Sequence, residues 1–253
     1  MLLKVILLGI IQGITEFLPV SSTAHLVLAE KLLNVSEESF GVAFDVALHL
    51  GTTLALIIFF WKTWLSLKKS LLINLIVATI PAVLMGFFLE KDIKIIFRSP
   101  FWIAIFLILF SLVFYLAERS SKKNKEIKQL GIIDALIIGL NQALALLPGV
   151  SRSGITISGG LLLNLKREEA GKFAFLLSTP IIIGAFLKEH GDIFLKFSSL
   201  KTDCWFFVVG IVTSFFIGYL TLKYFLKYLN KGSLMPFIIY RIILGIIIIL
   251  LII

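Results

Sequence analysis

Apolar residues run through this chain in long blocks, and charge gathers in the gaps between them. Six blocks, 41–60, 70–89, 100–117, 172–187, 203–222 and 235–253, approach or reach the roughly 20 residues that a helix needs to cross a bilayer. The fourth is the shortest. Two further apolar regions, 2–33 and 131–164, are interrupted at their centres by Pro19-Val-Ser and Pro148-Gly-Val-Ser. Proline removes a backbone donor and clashes with the preceding turn, which predicts helix ends near Leu18 and Leu147. Ser21 or Ser22, and Ser151, then suit the N-cap of a second half-helix. Each region reads as helix–loop–helix entering and leaving by one face. Backbone of that kind is tolerated at membrane depth only where protein or a water-filled cavity surrounds it. The pattern predicts an all-α polytopic membrane protein with six spanning helices plus two re-entrant helix-loop-helix regions.

The interrupted tracts share a cadence 129 to 130 positions apart: Pro19 matches Pro148, and Val20-Ser21 matches Val150-Ser151. A broken helix and three crossings in each half make an odd number, which turns the second half over relative to the first and predicts an inverted repeat. Repeat one spans 1–125 and repeat two 126–253, within a single membrane domain, 1–253. The polar run Glu118-Arg-Ser-Ser-Lys-Lys-Asn-Lys-Glu126 is the natural join.

Composition agrees. Hydrophobic residues make up 59% of the chain and charged ones 15%, far from the soluble averages of about 45–50% and 25%. A net charge of +9 would suggest nucleic acid in a soluble protein. Here the linkers 61–69, 118–130, 165–172 and 223–234 carry 14 Lys or Arg against eight on the opposite side. That bias makes the 14-rich side cytoplasmic and removes nucleic acid as a partner. Both termini and the mouth of the first break then face outward. Lys188, Glu189, His190 and Asp192 read as a solvated loop on the same outer side. The single cysteine, Cys204, excludes an intrachain disulfide and reads as a small packing residue. Lys4 followed by Val5–Ile11 imitates a signal peptide, but no small-x-small cleavage site follows, so the segment is expected to be retained.

The candidate chemistry lies in the breaks. Ionisable groups at membrane depth are functional candidates by default. Gln12 and Glu16, four apart, share a helix face, and Glu16 is a candidate metal ligand or proton-transfer group, with a neutral interhelical hydrogen bond as its structural alternative. Ser21, Ser22 and Thr23 suit caps or substrate contacts. His25 lies three residues past Ser22, and a serine beside an imidazole is the minimum for an activated nucleophile. Arg152, flanked by Ser151 and Ser153 with Thr156 one turn on, sits at a half-helix N-terminus that favours an anion. Gly149 and Gly154 are expected to let backbone approach that ligand. The structural alternative pairs Arg152 with Glu16 across the two halves. His49 reads as a hydrogen-bonded core histidine, with a place in the cavity wall as its alternative, Asp134 as a carboxylate complementing a helix dipole, and Arg241 as a second arginine inside an apolar segment. Asn141 and Gln142 correspond roughly to Gln12, but Ala145 or Leu146 stands where the first half has Glu16.

The tracts Gln12-Gly-Ile-Thr-Glu-Phe-Leu-Pro-Val-Ser-Ser-Thr-Ala-His25 and Leu147-Pro-Gly-Val-Ser-Arg-Ser-Gly-Ile-Thr156 resemble the two signature motifs of the undecaprenyl-diphosphate phosphatase family, the bacitracin-resistance proteins. Phe44-Asp-Val-Ala-Leu-His-Leu-Gly-Thr52, Thr79-Ile-Pro-Ala82, Phe175-Leu-Leu-Ser-Thr-Pro180 and Tyr240-Arg-Ile-Ile-Leu-Gly245 extend the likeness over the chain. The resemblance implies a multi-pass enzyme of the bacterial inner membrane that removes the terminal phosphate of undecaprenyl diphosphate, recycling the lipid carrier for peptidoglycan. It implies a divalent cation, Mg2+ or Ca2+, a prenyl diphosphate substrate, contact with membrane lipids, and room for a homodimer. Glu16, Ser22, His25 and Arg152 match the family's site residues, with Ser22 or His25 as nucleophile and Gln12 at a position held by Glu or Gln. The competing expectation is a transporter or flippase for a phosphorylated prenyl lipid, because broken helices in inverted repeats are its usual architecture.

Overall fold

The computed structural model describes residues 1–35, 41–199 and 204–252; its side chains are described outside 41–43, 90–91, 94 and 185–204. Among the described residues every regular element is a helix, apart from one isolated bridge between Lys125 and Leu165. In order these are α1 (Leu2–Thr15), α2 (Ser22–Leu32), α3 (Gly41–Phe59), the short α4 (Trp61–Leu65), α5 (Lys69–Phe97) and α6 (Pro100–Ser120). There follow α7 (Ile132–Ala143), α8 (Arg152–Leu162), α9 (Arg167–Ser199), α10 (Cys204–Leu229) and α11 (Met235–Ile252).

The two apolar regions break as expected, although three to four residues early. α1 ends at Thr15 and not near Leu18; α7 ends at Ala143, with a 3-10 turn over Leu144–Leu146. Proline leaves the carbonyl four residues before it without a donor. That carbonyl belongs to Thr15 for Pro19 and to Leu144 for Pro148, which is where the α-helices stop. The half-helices that follow are both 11 residues long. Each begins after a serine in left-handed conformation, Ser21 at φ 73° and Ser151 at φ 72°, and is followed by a left-handed asparagine, Asn34 or Asn164. The two breaks therefore end in the same way, although the second is two residues longer and carries a 3-10 turn.

Of the six expected spans, 70–89, 100–117, 203–222 and 235–253 fall in α5, α6, α10 and α11, the four described helices long and apolar enough to cross a membrane. The blocks 41–60 and 172–187 fall in α3 and α9. One expectation needs correction: the segment from Lys188 to Asp192 is helical, because α9 continues to Ser199. Its side chains, and that of Cys204, lie outside the described residues. Pro81 and Pro180 lie inside α5 and α9, as prolines in membrane helices can.

The halves interlock. α1 packs on α10 and α7 on α5, while α6 packs on α11. Phe17 of the first break meets Phe175 of α9 edge to face at 5.6 Å, inside a core that joins both halves. Apolar side chains such as Phe87, Phe88, Ile133 and Leu251 cover the outside, as a lipid-facing surface requires. The join is tied down by polar contacts. Arg167 grips the buried Glu118, and Asn164 accepts backbone N–H groups from Lys122, Asn124 and Lys125. Hydrogen bonds from Lys128 and Lys166 hold the Glu126 carboxyl at about 2.

Close approach of α7 to α5 depends on Gly139, where a Cβ would lie 2.4 Å from the Ala78 carbonyl oxygen. Backbone cannot yield as a flexible side chain can. Gly139→Ala is expected to cost about 1–3 kcal/mol and to lower the thermal midpoint of the purified protein. Gly184→Ala, whose Cβ meets nothing within 4 Å, should leave it unchanged.

Candidate active site

The two breaks meet at Glu16. Its backbone N–H still bonds the Gln12 carbonyl at 3.0 Å, which keeps its side chain on the Gln12 face of α1. Gln12 Nε2 donates to Glu16 Oε2 at 3.0 Å, and Ser22 Oγ, at the first position of α2, donates to the same oxygen at 2.7 Å. The other oxygen, Oε1, accepts from the guanidinium of Arg152, the first residue of α8. The side chains of the pair are 5% and 18% exposed. The ion pair that the sequence offers as the structural alternative is therefore present.

His49 completes the cluster from α3, and in this the core reading needs correction. A carbonyl only accepts, so Nδ1 donates to the Asp45 carbonyl at 2.8 Å. Nε2 is turned toward Glu16 Oε2 at 3.5 Å. With its side chain 32% exposed, His49 lines a cavity of about 450 Å³ together with Glu16, Ser22 and Arg152. The cavity has two characters. Ser21, Thr23, Ser151 and the ion-paired Arg98 and Asp45 supply polar wall, whereas Leu50, Leu54 and Ile57 of α3 and Ile181–Ile183 of α9 form an apolar one. That suits a ligand with a charged head and a hydrocarbon tail.

His25 is placed differently from the expectation. Ser22 donates to Glu16 and not to His25, whose Nδ1 donates to the Ser21 carbonyl at 2.8 Å. Its Nε2 lies 2.6 Å from the Tyr240 hydroxyl, with the two rings parallel. Ser153 Oγ donates to the Leu18 carbonyl and so stitches the two breaks together, whereas Thr156 Oγ1 donates to the Arg152 carbonyl within α8; neither residue lines the cavity. Ser151 caps α8 by accepting from the Gly154 N–H, whereas Ser21 makes no side-chain cap bond. Gly149, at φ 96°, brings backbone against the Ile103 carbonyl of α6, and Gly154 makes room for the Phe114 ring. Gly149 also lines the cavity, whereas Gly154 does not. Asp134 accepts from the Gly131 N–H and from Lys125 at the start of α7. Arg98 and Asp45 went unremarked in the sequence, where both look like ordinary charges at helix ends.

The donors near Glu16 bear on a metal. Among the described residues no group of three or more His, Cys, Asp and Glu side chains is placed to hold one. Beside Glu16, however, the buried Gln12 Oε1 has no hydrogen-bond partner.

Residues 5–247 match the family described as Bacitracin resistance protein BacA. The chain is 41% identical over 254 residues to an undecaprenyl-diphosphatase of Moorella thermoacetica, covering 96% of this chain and 95% of that protein. It is 43% identical over 251 residues to the protein of the same name from Desulforudis audaxviator, covering 95% and 94%. A third, from Alcanivorax borkumensis, is 38% identical and covers 96% of each.

The buried pair makes a thermodynamic signature. Removing one partner leaves an uncompensated buried charge, at about 3–5 kcal/mol. Glu16→Gln and Arg152→Met are each expected to lower the thermal midpoint, and the double variant to lose clearly less than the sum of the two.

Proposed function

The chain belongs to the bacitracin resistance protein BacA family and is an undecaprenyl-diphosphatase, and we propose that Ser22, Glu16 and Arg152 carry its reaction. The enzyme hydrolyses undecaprenyl diphosphate to undecaprenyl phosphate and phosphate, which recycles the lipid carrier for peptidoglycan synthesis. The observation that carries the residue assignment is the 2.7 Å hydrogen bond from Ser22 Oγ to Glu16 Oε2, formed beside Arg152 in a cavity with an apolar wall.

In this reading the prenyl chain lies along Leu50, Leu54 and Ile57, and the diphosphate faces Arg152. Ser22 Oγ attacks the terminal phosphorus while its proton passes to Glu16 Oε2. The bond from phosphorus to the bridging oxygen breaks, Glu16 gives its proton to the phosphate that departs, and undecaprenyl phosphate leaves. Water then attacks the phosphoserine while Glu16, ionised again, accepts a proton from it; the bond from phosphorus to Ser22 Oγ breaks, Oγ takes that proton from Glu16, and inorganic phosphate departs. The guanidinium has five N–H donors, so Arg152 can keep its bond to Glu16 while holding phosphoryl oxygens, alongside the first backbone N–H groups of α8. His25, tied to Ser21 and Tyr240, holds the backbone next to the nucleophile.

The residues also fit a divalent cation, Mg2+ or Ca2+. Glu16 and the unpartnered Gln12 Oε1 offer hard oxygen donors, and diphosphate oxygens would supply others. Bound there, the cation would neutralise charge on the phosphates.

The same reading takes α3 and α9 as crossings. The protein then has six spanning helices and two re-entrant regions in an inverted repeat, in the bacterial inner membrane, with the site opening to the outer face. The 14-to-eight bias of Lys and Arg and the matched breaks support it. Every residue of the mechanism comes from one chain, so a homodimer is not required for it.

Glu16→Gln, Arg152→Ala and Ser22→Ala are each expected to lower phosphate release from undecaprenyl diphosphate by about a hundredfold or more. Activity within a few-fold of the parent in any of them removes that residue from the mechanism. Gln12→Glu loses the Nε2 hydrogen bond to Glu16 but keeps an oxygen donor for the cation, and should stay active when the divalent cation is supplied. Turnover of substrate labelled in its terminal phosphate, quenched in acid, should leave acid-stable label on Ser22; acid-labile label on His25 would instead make the histidine the nucleophile.

A further inference from the structure

Two neighbouring residues of α11 each touch one of the breaks, and neither takes part in a chemical step of the mechanism above. Tyr240 reaches the first break: its hydroxyl lies 2.6 Å from His25 Nε2. Because His25 Nδ1 donates to the Ser21 carbonyl, Nε2 is the acceptor of the neutral ring and the tyrosine O–H is the donor. The chain of bonds runs from Tyr240 through His25 to Ser21, the residue before the proposed nucleophile. Arg241 reaches the second break. Its Nη2 donates to the Gly149 carbonyl at 3.1 Å, three residues before Arg152, and to the Leu107 carbonyl of α6 at 3.2 Å. Its Nε donates to Ser111 Oγ at 3.1 Å, and the guanidinium lies over the Phe114 ring at 4.6 Å.

Packing alone does not explain these choices. Arg241 is 0% exposed, no carboxylate pairs with it among the described residues, and its Nη1 has no hydrogen-bond partner. An isolated buried guanidinium is costly, and an apolar side chain would join α11 to α6 without that cost. What an apolar side chain lacks is a donor for the Gly149 carbonyl. Ser21 presents the complementary case. It holds a left-handed φ of 73° without a side-chain cap bond of its own, and such a conformation persists only where its surroundings over-determine it. The surrounding group is His25, fixed in turn by Tyr240.

We infer that Tyr240 and Arg241 are positioning residues that set the two breaks in register, Tyr240 acting through His25 on Ser21–Ser22 and Arg241 acting through Gly149 on Arg152. They touch no substrate. They fix the separation between the hydroxyl that attacks and the guanidinium that receives the phosphoryl charge, a distance on which rate depends steeply. The inference rests on the reading of Ser22 as nucleophile.

The test is a double-mutant cycle on the purified full-length protein with undecaprenyl diphosphate. Tyr240→Phe removes only the hydroxyl. It is expected to lower kcat about tenfold, with KM within about twofold and the thermal midpoint unchanged. His25→Ala should fall by a similar factor, and the double variant should fall no further than His25→Ala alone. Arg241→Lys, which keeps the charge but loses the fork, should also lower kcat without moving KM. Three results overturn the inference: Tyr240→Phe or Arg241→Lys retaining kcat within about twofold; a double variant losing the product of the two single factors; or a kcat loss matched by a falling midpoint. Acid-labile label on His25 overturns the reading of the nucleophile and this inference together. These kinetic failures with label on Ser22 overturn the inference alone.

Discussion

A carboxylate or a guanidinium buried alone in an apolar helical bundle is barely tolerable, and the pairing of Glu16 with Arg152 makes each acceptable to the other. Much of the architecture follows from bringing those two groups together. Both lie at ends of broken helices, because a continuous helix would present them sideways to lipid or to a neighbouring helix. Both breaks lie inside the protein, since their unpaired backbone groups need protein partners at that depth. Ser153 answers the Leu18 carbonyl from across the two halves and Arg241 answers the Gly149 carbonyl from within the second, so both breaks find side-chain donors inside the protein.

The breaks share a backbone and divide the chemistry. Ser22 and Arg152 occupy the same place, the first residue of the second half-helix after a left-handed serine. One half places a hydroxyl there and the other a guanidinium, the two groups that the proposed mechanism uses as nucleophile and anion grip. Ala145 or Leu146 stands where the first half has Glu16, so a single carboxylate serves both halves. Gln12 and Gln142 are both buried, but only Gln12 has a carboxylate to bond. Two similar breaks with different side chains thus form one asymmetric cavity.

How much of this was legible in the sequence depended on whether a feature was local. The breaks were legible because proline acts on the carbonyl four residues earlier in the same chain, although the helix ends fell early for that same reason. The Glu16–Arg152 pair was legible as an alternative because two opposite charges in an apolar background have few other places to go. The Ser22–His25 contact was misread. Spacing of three puts two residues on one helix face, but Tyr240, more than 200 positions away, takes the imidazole instead. His49 was underrated for the same reason. Its distance to Glu16 is set by how α3 packs, which no local pattern reports. The helical backbone from Lys188 to Asp192 was missed because a cluster of charges outweighed the periodicity on either side.

The interlocking of α1 with α10 has a consequence for biosynthesis. Gly9 and Gly13 of α1 are shaped to receive Thr213 and Ile217, and Glu16 waits for an arginine 136 positions later. At about 5–20 residues per second, the ribosome needs roughly 7–27 s to reach Arg152 after it has made Glu16, and longer to reach α10. Throughout that interval the first helix has neither its groove partner nor its counter-charge, so it must wait beside the translocon, at the bilayer surface or with its acid protonated. The last helices made are the ones that let the first one settle.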